Sequence, residues 1–426
     1  MTWSVFADPP VNHDNPNASP LPRRDTPGEH LWQPLPRNVV ALGVVSLLMG
    51  TSSQMIHSLL PLFLITVLGA STISVGIIEG IAEATNSFAK VFSGTLSDWL
   101  GRRKPLVVLG YGLAALSKPL FPLAGDVATV LAARFIDRSG KGIRDAPRDA
   151  LLADLLPANT RGSGYGLRLA LFTIGSVMGP LMATGIMLAS GGDFRLVFWV
   201  AVIPAVLCVV VLVSVVKEPP NNRVSVARRL ALRDLKRLPA IFWWLVTITA
   251  VLELTRFSQA FLLLKAREVG VEAAWVPAFL MLMSAVYGLT AYPCGVLADH
   301  VNRRLQLGAG AVVLVCCHLA LATAGTIWMS AFGAVLWGLQ MGMTQGLVAT
   351  AIADAAPDDL RGTAFGIYYF VDGVASLLAS SGAGILWSVG GSALAFGVGA
   401  ALAAIVVFMI AFGPLPQAPD ASARPL

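Results

Sequence analysis

The sequence predicts an all-α polytopic membrane protein made of two six-helix bundles related by a pseudo-two-fold repeat, and three observations carry that reading. Of the 426 residues, 56% are hydrophobic and only 13% charged, with a mean hydropathy of +0.72, whereas a soluble domain carries about 25% charged residues. Apolar stretches of the roughly 20 residues that cross about 30 Å of hydrocarbon as a helix recur along the chain between short polar breaks. Motifs from the first half also reappear in the second at a nearly constant offset.

Twelve apolar stretches begin near Val39, Thr72, Pro105, Val127, Gly164, Phe194, Ile241, Ala274, Leu307, Trp328, Ala364 and Ala393. Lipid offers no partner to a backbone N–H or C=O, and the stretches are too long for barrel strands of about ten residues, so each is a helix. Residues 1–36 are rich in Pro, Asn and Asp and read as a disordered cytoplasmic tail without a cleaved signal. The remaining divisions are a first bundle over 37–216, a basic linker over 217–239, a second bundle over 240–413 and a short tail over 414–426. Cys208, Cys294, Cys316 and Cys317 lie inside apolar runs without metal-ligand spacing and read as packing residues.

The formal charge of +6 is explained by where the cations lie. Arg23, Arg24 and Arg37 precede span one, Arg102, Arg103 and Lys104 follow span two, and Arg161 follows span four. Lys217, Arg223, Arg228, Arg229, Arg233, Lys236 and Arg237 follow span six, with Arg303, Arg304, Arg361 and Arg424 on the same side. Only Arg195, Lys265 and Arg267 fall on the other. The positive-inside rule then puts the chain in the inner (plasma) membrane with both termini cytoplasmic, and the basicity serves orientation instead of nucleic-acid binding.

The repeat is specific. Ala150-Leu-Leu-Ala-Asp154-Leu-Leu-Pro157 through Arg161-Gly162 to Gly166 answers Thr350-Ala-Ile-Ala-Asp354-Ala-Ala-Pro357 through Arg361-Gly362 to Gly366, an offset of 200 residues. Gly94-Thr-Leu-Ser-Asp98-Trp-Leu-Gly101-Arg102-Arg103 answers Gly295-Val-Leu-Ala-Asp299-His-Val-Asn-Arg303-Arg304 at an offset of 201. In this loop Asp98 can cap a helix and pair with Arg102 or Arg103, while Gly94 allows a neighbouring helix to approach closely. The motif G-x-L-x-D-x-x-G-R-R, with a degenerate second copy, resembles the signature loop of the major facilitator superfamily. Gly175-Ser-Val-Met-Gly179-Pro180 in span five is similar to the G-x-x-x-G-P element of exporters in that superfamily, with Ala183 where a further Gly is usual. The resemblance implies a twelve-span secondary transporter in which the loop residues gate the rocking of two bundles. Drug antiporters of the superfamily often carry an acid in span one, where this chain has only Gln54 and His57.

Residues matched in both halves serve the shared fold, so charges present in one half only need another reason. Span four carries Arg134, Asp137, Arg138, Lys141, Arg144, Asp145 and Arg148 along one broad helical face, and its counterpart, with Ala334, Met341, Thr344 and Val348 at the matching positions, carries no charge. A charge at the bilayer centre costs at least about 2.5 kcal/mol, so this face points into the bundle or a water-filled cavity. Two readings compete for it. Asp137, Lys141 and Asp145 could form a self-neutralising ladder at i, i+4, with the remaining cations snorkelling or meeting Asp149, or the surplus cations Arg134, Arg138, Lys141, Arg144 and Arg148, joined by Arg168 of span five, could bind an anionic substrate. Arg134 also resembles the intramembrane Arg common in the family, although Arg138 replaces the Gly usual four residues later.

Acids buried in one half only are the proton-coupling candidates: Glu79 and Glu83 in span two, Glu253 in span seven and Asp372 in span eleven. Glu253 can also pair simply with Arg256 at i, i+3. His57 and His318 are single histidines in separate spans and read as packing residues. No phosphate-cradling loop, zinc signature or nucleophile elbow is present, so the sequence points to no enzyme, cofactor or metal. The expected function is proton-coupled export of a small, anionic solute by a monomer embedded in lipid. Import of an organic anion with a proton is the alternative, and a non-transporting receptor a remote one.

Overall fold

A computed structural model of the chain describes residues 35–100, 102–157, 160–218, 235, 237–357 and 360–413, without the side chains at 95, 98 and 298–300. The expectations for the tails, for most of the basic linker, for Gly101 and for the side chains of Asp98 and Asp299 lie outside these residues. The described chain is helical, with no strand among the described residues. In order the helices are α1 (Arg37–His57), α2 (Leu60–Thr66), α3 (Thr72–Leu100), α4 (Lys104–Ser117), α5 (Leu120–Leu123), α6 (Val127–Asp154), α7 (Arg161–Ala189), α8 (Phe194–Val215), α9 (Ala240–Thr255), α10 (Ala260–Glu268), a 3₁₀ turn (Ala273–Trp275), α11 (Pro277–His300), α12 (Arg303–Ala322), α13 (Ile327–Ala355) and α14 (Arg361–Phe412).

These resolve into twelve spans. α1 with α2, α4 with α5 and α9 with α10 each make one, and α14 makes two, divided at Gly390 and Gly391, where only a glycine adopts the φ of 72° found at Gly391 without strain. Eight segments among the described residues are long and apolar enough to cross a membrane, the undivided α14 counting as one. α3, α6 and α13 have the length but fall short on charge or hydropathy. They tolerate polar residues because they pack inward: α3 lies against α6 and α14, α6 against α3 and α4, and α13 against α11 and α12.

Local signals set the helix ends. Asp126 accepts the Thr129 amide at 2.7 Å to cap α6, and Thr326, its match in the repeat, caps α13 through Met329 at 3.3 Å. The hydrogen bonds from Thr129 hold the exposed Asp126 carboxyl below the usual carboxylate range.

The first six spans meet the last six along α3 with α14 and α7 with α11, and α2 meets α10 at the end remote from the basic loops. Close crossings rest on glycine. A Cβ on Gly175 or Gly179 would lie 2.5 Å from the Leu47 carbonyl or 2.6 Å from that of Thr51, so the G-x-x-x-G-P element seats α7 on α1.

Gly94 corrects the sequence reading. A Cβ there would meet Ala146 at an ordinary 3.8 Å, whereas one on Gly142 would stand 2.6 Å from the Asn86 carbonyl. The tight crossing of α3 on α6 is therefore at Gly142. Gly94→Ala should melt at the wild-type temperature in detergent, and Gly142→Ala should lose about 1–3 kcal/mol to overpacking. Equal Tm values for the two variants would contradict this placement.

Candidate substrate and coupling site

Three spans are broken, and each break turns a polar side chain onto a neighbouring helix. α1 stops at His57 before Pro61 opens α2, α4 stops before Lys118 and Pro119, and α9 stops before the segment Arg256 to Gln259. His57 faces Arg134, Arg138 and Asp137 of α6, Lys118 faces Asp137 of α6, and Arg256 reaches Thr344 of α13. Interrupted helices that present polar groups inside a bundle are a recurring way of building transport sites.

The α6 ladder does not form. Asp137, 4% exposed, bonds Lys118 Nζ at 2.8 Å, and that ammonium also donates to Ser53 Oγ at 3.0 Å. Asp145 takes Arg148 at 3.0 Å and lies 3.9 Å from Lys90. Acids from α3 then serve the remaining arginines. Glu79 is ion-paired with Arg134, both fully in the interior, and Glu83 pairs with Arg138 at 3.0 Å. Arg148 also donates to Asp149 at 3.0 Å, and Arg168 lies 3.6 Å from the same carboxylate.

Two cations are left over. Arg144, 7% exposed, stacks its guanidinium 4.1 Å from the Tyr111 ring centroid, yet its Nε and Nη1 have no hydrogen-bond partner among the described residues. Lys141 makes no hydrogen bond or ion pair with the described residues and is only partly buried. On these facing surfaces Lys90, Lys118, Arg134, Arg138, Lys141, Arg144, Arg148 and Arg168 meet Glu79, Glu83, Asp137, Asp145 and Asp149, so cations stay in surplus.

The other two acids come from the second half. Glu253 pairs with Arg256 at 2.9 Å, and Arg256 is joined to Thr344, itself bonded by Gln340 at 3.0 Å. Asp372 has no ion pair among the described residues and accepts from Ser87 Oγ of α3 at 2.6 Å, linking the two halves. A second such link runs through Glu79, which accepts from Ser258 Oγ at 3.0 Å while the Ser258 amide donates to Ser380 Oγ at 3.1 Å.

In the loop motif, Arg103 pairs with Asp154 at the end of α6 at 2.9 Å, and Arg303 pairs with Asp354 at the end of α13. The same ion pair thus stands in both halves, although the loop alignment matches Arg303 to Arg102, which is exposed. Arg304 donates to the Gly413 carbonyl, and the Arg103 amide donates to Glu218.

His318 is the packing residue the sequence suggests, enclosed by Phe257, Trp337 and Phe396 and bonded to the Thr255 carbonyl at 2.9 Å. His57 is not: it sits within the charge cluster. Lys118, Tyr111, Ser258 and Ser87 escape a reading of the sequence, and only Pro61 and Pro119, as helix breakers, flag two of the three breaks.

The chain resembles known proteins along most of its length. The sequence profile described as Major Facilitator Superfamily matches residues 42–380 and, in a second match, 254–426. The MFS-type transporter MJ1317 of Methanocaldococcus jannaschii is 30% identical over 384 residues, covering 89% of this chain and 95% of that protein. The multidrug resistance protein MdtH of Proteus mirabilis is 31% identical over 133 residues, covering 31% and 32%. Among solved structures, a POT family transporter in complex with 5-aminolevulinic acid superposes with a TM-score of 0.74 at 12% identity, over 88% of this chain and 96% of that one. With the family profile matched over most of its length and a relative 30% identical across nearly all of both chains, the chain belongs to the major facilitator superfamily of secondary transporters.

Proposed function

We propose that the chain carries a small anionic solute by alternating access between the halves 37–216 and 240–413, coupled to protons. The observation that supports the anion is the pair of cations that no carboxylate among the described residues contacts directly: a buried guanidinium at Arg144 whose Nε and Nη1 are unpartnered, and Lys141 one turn before it. Arg134, Arg138, Arg148 and Arg168 complete the cationic wall, and Glu79, Glu83, Glu253 and Asp372 are the groups that take up and release protons. The Arg103–Asp154 and Arg303–Asp354 pairs each lie within one half and hold its loop motif against the end of α6 or α13, so that each half moves as a unit.

Two directions are in play. Export in exchange for protons is supported by the Gly175, Gly179 and Pro180 element, which seats α7 on α1, and by the partial likeness to MdtH. Uptake of anion with proton is supported by the pairing of Glu79 with Arg134 and Glu83 with Arg138. Protonating either acid frees its arginine for an anion, so the two ligands bind together.

Proteoliposomes under an imposed pH gradient, carrying an internal pH dye and challenged with anionic metabolites, carboxylate chelators and cationic dyes, test both. The sign of substrate-dependent proton flux decides the direction, and its absence for every compound removes the coupling. Lys141→Ala and Arg144→Ala should each weaken transport of an anion about tenfold, the value of one charge-assisted contact. Unchanged transport in both variants would defeat the cationic site.

A further inference from the structure

α11 and α13 cross closely at Gly338, where a Cβ would stand 3.1 Å from that of Val286, and again at Gly342 against Thr290. Beyond this crossing, toward the basic loops, lies a cavity of about 260 Å³. Leu169 of α7, Tyr287 and Cys294 of α11, Gln306 of α12, and Met341 and Met343 of α13 line it. It thus bridges the two halves. Thioethers and a phenol ring make one side of it apolar and adaptable to the shape of what it holds, while Arg303, already paired with Asp354, Gln345 and Thr350 line the side toward the basic loops.

Gln306 is 3% exposed in this wall. Its Nε2 donates to the Cys294 carbonyl at 2.7 Å and the Met343 carbonyl at 3.4 Å. Two carbonyl acceptors fix which end of the amide is the nitrogen. The Oε1 that remains is buried and has no partner among the described residues. Buried acceptors are as a rule matched by a donor, so this one calls for an N–H or O–H brought from outside the chain. Leu169 follows directly on Arg168 along α7, and α7 packs against α11, which carries Tyr287. The cavity therefore borders the cationic wall.

We propose that the uncharged part of the carried solute seats in this cavity, and that the solute is an amphipathic organic anion. Its acidic head faces the α6 and α7 cations, and its apolar body carries a hydroxyl or amide N–H to Gln306 Oε1. This rests on the anion-carrier reading and adds the chemistry of the other end of the solute.

Thermal stabilisation of the purified full chain in detergent tests it with four probes: 4-hydroxybenzoate, benzoate, acetate and the neutral 4-hydroxybenzyl alcohol. 4-Hydroxybenzoate should stabilise at about tenfold lower concentration than benzoate, the worth of one hydrogen bond to a buried group, and acetate should be weaker than both. Gln306→Leu should erase the difference between the first two. Met341→Trp, which fills the cavity, should remove both while sparing acetate, and it decides the matter if Gln306→Leu melts too low to be read. Acetate acting as strongly as benzoate, or a Gln306→Leu protein of normal Tm that still prefers the hydroxyl, would overturn the cavity assignment and leave the anion reading standing. If the neutral alcohol matches 4-hydroxybenzoate, the anion reading falls and the cavity assignment survives. No stabilisation by any probe overturns both.

Discussion

Replacing Glu79 by Leu is expected to destabilise the protein by about 3–5 kcal/mol, the cost of leaving the partner of a buried ion pair without its counter-charge. Arg134 is 1% exposed and its Nε already lacks a partner, so the lost carboxylate cannot be replaced by water. The effect should reach transport as well, because Glu79 also accepts from Ser258 across the two halves. A double replacement separates these roles. Exchanging a buried ion pair for apolar residues of similar volume is often neutral or stabilising, so Glu79→Leu with Arg134→Met should recover most of the lost Tm. Transport should stay at least about a hundredfold down if the pair is part of the coupling, since a difference of about 2.7 kcal/mol between conformers shifts an equilibrium by that factor. Recovery of both Tm and transport in the double variant would show that the pair serves the fold alone.

Much of this site was legible along one helix and little of it between helices. The positions of Arg134, Arg138, Lys141, Arg144 and Arg148 follow from a 3.6-residue period, and comparison with the neutral second copy singles them out. Their counter-ions do not follow. The ladder with Asp137 and Asp145 satisfies every local rule, yet Lys118 from the break after α4 takes Asp137 and Glu79 and Glu83 arrive from α3. Those choices depend on how α3, α4 and α6 cross, which no local pattern encodes. Gly94 fails for the same reason: a glycine marks a close approach only where the crossing falls, and the crossing falls at Gly142. The helix starts fared better, within four residues at every span, because hydropathy and loop polarity are properties of the segment itself.

Closure of the end remote from the basic loops depends on Gly384, and Gly384→Leu is expected to prevent it. A Cβ at that position would lie 2.6 Å from the Thr72 carbonyl and 3.1 Å from Ile73 Cα, all backbone that a rotamer change cannot clear. Thr72 Oγ1 also donates to the Gly384 carbonyl at 3.3 Å, and Gly76 lies in the same contact. Overpacking here costs about 1–3 kcal/mol, and the cost falls only on the conformer in which α3 and α14 touch. Conformers of a carrier differ by a few kcal/mol, so a penalty of this size reverses their order. Transport should fall at least about tenfold by this arithmetic, while Tm changes little because the chain escapes into its other state. A cysteine placed by Val75→Cys, at a site fully buried in the closed form, reports that escape. Its labelling by a membrane-impermeant maleimide should rise in Gly384→Leu, on a background with Cys208, Cys294, Cys316 and Cys317 replaced. Gly382→Leu is the control, because nothing lies within 4 Å of a Cβ at Gly382. If both leucine variants transport and label alike, α3 and α14 do not separate at this end, and the rocking of the two halves has to be sought along α7 and α11.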